Sequence, residues 1–320
     1  MARDAVDRHY RKVIREIAEG GVIPLLGAGV NRCGRPENAT WQRDDPRFLP
    51  SGGELASFLA DYFDYPPDDT RDLLRISQYG KVIDGDGTLY RELREIFAPE
   101  REPTALHRFL AGLPSVLKDK RCRSPYQLIL TTNYDDSLER AFREASEPFD
   151  LVTYIADGEH QGKFLHRPPA EPPRLIEPPN TYGGLSPDQR TVILKIHGDV
   201  DRDDATGDSY VITEDHYIDY LTRTDIAEML PVTLLTKLRG SSFLFLGYSL
   251  RDWNLRVILH RIWGRQTLSH KSWAIQLRPG EIDCELWRQR NVDILDVALD
   301  EYVAGLEAQL KEPFGAGVVP

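Results

Sequence analysis

Gly21-Val22-Ile23-Pro24-Leu25-Leu26-Gly27-Ala28-Gly29-Val30-Asn31 is the stretch that decides the fold. Five mostly apolar residues bounded by glycine describe a strand covered on both faces, because no alternate position is given to water. The Gly-Ala-Gly that follows describes a turn whose backbone can approach a phosphate, since Gly27 and Gly29 carry no Cβ and Ala28 carries the smallest side chain. The same composition makes a plain tight turn, and Arg32 stands where a dinucleotide fingerprint has its third glycine. The remaining strands decide between the two.

Outward from this stretch, Tyr10, Val13, Ile14 and Ile17 recur at helical spacing, so a charged helix leads into the first strand. A polar loop containing Trp41 runs on to Pro50. Residues 54–65, 70–82, 88–97 and 104–117 then read as helices, several opened by Ser, Thr or Asp caps. No strand pattern interrupts them, so residues 46–123 are expected to form a helical insertion on a domain made of residues 1–45 and 124–311. Residues 126–130, 149–155, 191–196, 242–246, 271–277 and 292–297 read as further strands, with helices predicted at 136–145, around 215–238 and at 252–263. The six prolines between His166 and Pro187 mark a loop, and residues 312–320 read as a tail or linker. Alternating buried strands and helices predict a doubly wound, Rossmann-like, mainly parallel α/β sheet.

Polar residues cluster just past the predicted strand ends. Asn31 follows the first glycine turn; Thr132, Asn133 and Asp135 follow the second sheet strand; His197 ends the strand at 191–196; Gly247 and Ser249 follow Leu246. Each has a plainer reading. Asn133 suits a turn or helix cap, His197 a loop histidine satisfied by backbone, Asp135 the positive end of a helix dipole, and Ser249 an N-cap. In a parallel sheet, however, the carboxyl ends of the strands line one crevice, which is where ligands bind. Four separate motifs would meet there.

The composition limits the choice of partner and compartment. With 51 acidic against 40 basic residues in a chain of 320, the net charge of −11 argues against a general nucleic-acid surface. Cys33, Cys122 and Cys284 fall at no metal-site or disulfide spacing, which suits a reducing cytoplasm and predicts no structural zinc. No apolar run approaches the roughly 18 residues of a membrane helix, so a soluble protein is expected.

Taken together, Gly27-Ala28-Gly29, Thr131-Thr132-Asn133-Tyr134-Asp135, Lys195-Ile196-His197-Gly198-Asp199 and Gly247-Tyr248-Ser249-Leu250 occur in the order found in sirtuin-like domains. The set resembles the divergent prokaryotic branch that hydrolyses NAD in antiphage defence. Over about residues 10–310, the resemblance implies an NAD site. Gly27, Ala28, Gly29 and Ser249 would face the phosphates, Asn133 would position the nicotinamide ribose or a water, Asp135 would hold the carboxamide, and His197 would be general base or ribose-orienting group. As a base, the imidazole would titrate near neutrality.

The departures count as well. The zinc-binding cysteines of the family's deacylases are missing, Val30-Asn31 replaces hydrophobic-Ser, and no Pro-Asp-Phe-Arg follows. The implied activity is therefore splitting NAD into nicotinamide and ADP-ribose without a metal, held in check by a sensor partner or a homo-oligomer. A nucleotide-binding sensor without chemistry is the alternative, and a zinc-free deacylase the third.

Overall fold

Every residue of β1 (Val22–Leu26) is buried, as its unbroken apolar run predicts. It pairs in parallel with β2 (Leu128–Thr131) on one side and with β9 (Ser242–Leu246) on the other. The computed structural model describes residues 3–36, 38–202, 204–222, 226–249, 259, 262 and 270–313. Apart from Leu259 and Ile262, the helix expected at 252–263 lies outside them, as does most of the tail at 312–320.

Beyond β2 come β6 (Thr191–Lys195) and β3 (Phe149–Tyr154), and beyond β9 come β10 (Ser272–Gln276) and β11 (Val292–Asp296), all parallel. The sheet order β11-β10-β9-β1-β2-β6-β3-β4-β5 thus runs outward in both directions from β1. Its last two strands, β4 (Phe164–Arg167) and β5 (Arg174–Leu175), are antiparallel and lie in the proline-rich stretch that the sequence presents as a loop. An edge is where prolines are tolerated, because missing N–H groups there break no central ladder. A separate ribbon of β7 (Gly198–Asp199) and β8 (Ser209–Tyr210) follows β6.

The pleat sends alternate residues to opposite faces. Ile23, Leu25, Leu130, Leu194, Phe243 and Phe245 pack on one side with Leu234 and Leu238 of α9 (Val232–Gly240) and Trp287 of α10 (Glu281–Arg288). Val22, Leu26, Ile129, Ile193, Leu244 and Leu246 pack on the other. That second face is covered by α1 (Arg3–Ala18), α5 (Ala105–Asp119), α6 (Ser137–Glu144) and α11 (Leu299–Lys311).

A third core joins α2 (Gly52–Tyr62), α3 (Leu73–Asp84) and α4 (Asp86–Phe97) to Val200, Tyr210 and Ile212 around the ribbon. Within residues 46–123 the helices pack into two different cores. Leu106, Leu110 and Leu113 place α5 against the main sheet, so only α2–α4 form a cap with a core of its own. The cap stands over the carboxyl ends of the strands through Ser51, Leu55, Leu73 and Phe97.

Candidate active site

At those carboxyl ends lies a cleft of about 680 Å³, within the range of small-molecule and cofactor sites. Along the sheet order it takes His197 from the end of β6, Asn133 and Asp135 from β2, Ala28, Gly29 and Asn31 from β1, and Gly247 to Ser249 from β9. It continues to Gln276 at the end of β10, Leu277 just past it, and Ala298 and Asp300 after β11. Five strand spacings separate the first from the last, roughly 24 Å at about 4.8 Å each. The shape is long and suits an extended ligand.

Backbone bonds splice the strand ends together. Thr132 N donates to Leu26 O at 3.2 Å, Ile196 N to Thr131 O at 3.1 Å, and Gly27 N to Leu246 O at 3.0 Å. Gly29 N donates to Gly247 O at 2.9 Å. The absent Cβ atoms in the Gly-Ala-Gly turn thus have a cause other than a phosphate. A methyl at Gly29 would meet Gly247 O at 2.6 Å, and one at Gly27 would meet it at 2.9 Å and the Tyr248 ring at 3.0 Å. The N–H groups of Gly27 and Gly29 are also committed to protein carbonyls. Ala28 and Gly29 line the cleft, and Gly27 lies beneath the Tyr248 ring.

Behind the turn runs a buried polar network. Asn31 Nδ2 donates to Asp135 Oδ2 at 3.0 Å, and Ser137 N donates to Asp135 Oδ1 at 3.0 Å. Burial alone would raise the Asp135 carboxyl. His107, Lys195 and the two hydrogen bonds overcome this and hold it below the ordinary carboxylate range. Lys195 Nζ donates to Asp135 O at 2.7 Å, Tyr134 O at 3.3 Å and Glu139 Oε1 at 2.9 Å. Burial would lower Lys195, but Glu139, Asp199 and Asp135 keep its ammonium above the usual value. The lysine therefore pins the loop that carries Asn133 and Asp135.

Asn133 is buried; its N–H donates to Thr131 Oγ1 at 3.0 Å and its Nδ2 to Gly27 O at 3.3 Å. His197, two residues past the end of β6, lines the same cleft. Gly198 follows at φ +84°, where a Cβ would meet Ser209 O at 2.1 Å, so the turn that aims the imidazole requires glycine. The Tyr217 hydroxyl lies 3.4 Å from His197 Nδ1, with the two rings edge to face at 5.4 Å. Burial pushes His197 down to about 3. This lies below the expected near-neutral titration, because burial is the cause and no charged group among the described residues offsets the loss of water.

Ala28, Gly29, Asn31, Thr132, Asn133, Asp135, His197, Gly247 and Ser249 are all brought together in the cleft. Sequence reasoning missed Arg32, Arg35, Tyr217, Tyr248, Gln276 and Asp300, which share it. Gln276 and Asp300 were findable by the strand-end rule that found His197. Arg35, buried with its guanidinium forked onto Glu54 of α2, was not, because a tie between a loop and a cap leaves no periodic signal. Among the described residues no group of three or more His, Cys, Asp or Glu side chains is placed to hold a metal.

A crevice at the point where strand order reverses, with a glycine turn on β1 and Asn and His from β2 and β6, is the architecture of sirtuin-type nucleotide domains. The SIR2-like domain model matches residues 127–295, just over half the chain, and the protein belongs to that family. Among its relatives, "NAD(+) hydrolase ThsA" of Enterococcus faecium is 31% identical over 193 residues, covering 60% of this chain and 32% of the relative. The protein of the same name from Acinetobacter baumannii is 29% identical over 253 residues, 78% of this chain and 41% of that one. "Defense-associated sirtuin 2" of Bacillus subtilis is 22% identical over 305 residues, covering 92% and 25% respectively. The chain thus spans between a quarter and about two-fifths of the length of these relatives.

Proposed function

We propose that the chain is an NAD glycohydrolase domain that cleaves NAD to nicotinamide and ADP-ribose, acting as a regulated effector of antiphage defence. The observation that carries it is the convergence of Asn133 and His197 at one end of a cleft long enough for a dinucleotide. The names of the similar proteins, two NAD(+) hydrolases and a defence-associated sirtuin, support the same reaction and setting.

The chemistry asks for little. The nicotinamide of NAD leaves as a neutral ring when the C1′–N1 bond breaks and its electron pair returns to nitrogen, so the ribose passes through an oxocarbenium-like state that water then captures at C1′. The protein must hold the dinucleotide, place the water and accept hydrogen bonds from the reacting ribose. Asn133 is assigned to the ribose or water. His197, kept neutral by burial, is assigned to accepting a hydrogen bond from a ribose hydroxyl or the water, and the water's proton passes to solvent. This favours the orienting role over that of a strong base. Ala28, Gly29, Gly247 and Ser249 border the middle of the ligand, and Asn31 holds Asp135 beside the carboxamide.

Hydrolysis of a central cofactor harms the cell that carries it, so the proposal includes restraint by a sensor partner or by homo-oligomerisation, and a cytoplasmic setting. No helix among the described residues is long and apolar enough to cross a membrane.

The test is incubation of purified protein with NAD, alone and with phage lysate, following nicotinamide and ADP-ribose by chromatography. Product from wild type is expected to fall at least 100-fold in Asn133→Ala and in His197→Ala. Binding without turnover under every activating condition would leave a nucleotide sensor instead.

A further inference from the structure

Tyr248 lies where a ligand crossing the cleft must pass. It follows β9, and its hydroxyl is hydrogen-bonded at 2.6 Å to the hydroxyl of Thr132, which follows β2. Between those two strands lies β1, so the contact bridges two strand spacings, roughly 10 Å, over the end of the central strand. The ring also rests on the glycine turn itself, since a Cβ built at Gly27 would stand 3.0 Å from ring carbons Cγ and Cδ2. Half buried, it is backed edge-on by Phe245 at 6.5 Å. On one side of this bridge are Asn133 and His197; on the other are Gln276 and Asp300.

We propose that the Tyr248–Thr132 bond is a latch across the middle of the cleft, closed in this structure, which opens for a dinucleotide to reach from one half to the other. The proposal rests on the nucleotide-site assignment above. A pyrophosphate over the Gly-Ala-Gly turn would need the volume that the Tyr248 ring fills, and two atoms cannot share it. The closed latch lowers apparent affinity by the fraction of molecules that are open, so anything that biases Tyr248 outward raises affinity without touching Asn133 or His197.

The experiment is calorimetric titration of the purified chain with ADP-ribose, a probe that requires no turnover, for wild type, Tyr248→Phe and Tyr248→Ala. Loss of one hydroxyl-to-hydroxyl bond is expected to make Tyr248→Phe bind about fivefold tighter. Tyr248→Ala, which also clears the ring from Gly27, is expected to bind at least as tightly as the Phe variant, with a correspondingly lower KM for NAD. If Tyr248→Ala fails to fold, the Phe variant decides alone. Equal or weaker binding by Tyr248→Phe overturns the latch while wild-type binding keeps the nucleotide site. Absence of ADP-ribose and NAD binding in all three forms overturns the nucleotide site and the latch together.

Discussion

His197 is the residue at which position and chemistry diverge most. Its location just past β6 was legible, because a buried, mostly aliphatic strand delivers the residues beyond its carboxyl end to the crevice. Its protonation was not legible. Burial is a property of what packs around the ring, here Tyr217 and Tyr220 from α7 (Glu214–Thr222), and those residues lie some twenty positions further along the chain. With its pKa pushed down to about 3, the imidazole is neutral throughout the physiological range. The pH profile of kcat/KM for NAD is therefore expected to show no inflection from His197 between pH 5.5 and 8. A wild-type inflection near 6.5 that disappears in His197→Gln would show that the ring titrates and acts as a base. Gly29 makes a related point. The sequence offers a phosphate turn or a plain tight turn for it, and the structure shows that contact with Gly247 alone already excludes a Cβ there.

At the scale of elements, the parallel strands were legible because strands covered on both faces have an unmistakable composition. The edge strands β4 and β5 were not, since four prolines fall between or beside them and a strand that pairs on one side needs no long apolar run. The position of α5 was likewise hidden. Its apolar stripe says that one face is buried but not whether the cap or the sheet covers it. Between elements, the ammonium of Lys195 on β6 ties the β2 loop to Glu139 on α6. Lys195→Met would leave Glu139 buried without its counter-charge and take the ammonium from the Asp135 carbonyl, while Tyr134 O keeps the Val200 N–H, so a loss of about 3–5 kcal/mol is expected. Urea unfolding measures it. The double variant Lys195→Met/Glu139→Leu should recover much of the loss, because it also removes the stranded charge.

For the whole molecule, four histidines dispersed along the chain share one condition, His216 among them. His9 and His107 are each lowered to about 4 and His197 to about 3, in every case chiefly because burial disfavours the charged ring. The unfolded chain takes up these protons near pH 6.5 and the folded one does not, so the unfolded state binds more protons throughout the interval. Their contribution is neutral above about pH 6.5, and stability falls as pH drops from there toward 4. Asp135, held below its ordinary range, adds a loss of the same sign further into acid. A steep decline in Tm between pH 6.5 and 4.5 is expected by calorimetry. His107→Gln should make it shallower, since His107 Nδ1 accepts from Thr104 N at 3.1 Å in a capping box that glutamine also completes. A decline of unchanged slope in that variant would remove His107 from the account.

The cap has a core of its own, and this bears on how the cleft is reached. Leu59, Ile76, Leu89 and Leu93 pack with one another and with Tyr210, not with the strands of the main sheet. Units packed in this way open with free energies of their own, below that of global unfolding. The roof over Asn133 and His197 can therefore come loose and re-form many times while β1, β2 and β6 stay paired. Access to the reacting groups then becomes a matter of how often one cooperative unit breathes, a frequency that surface substitutions far from any ligand can tune.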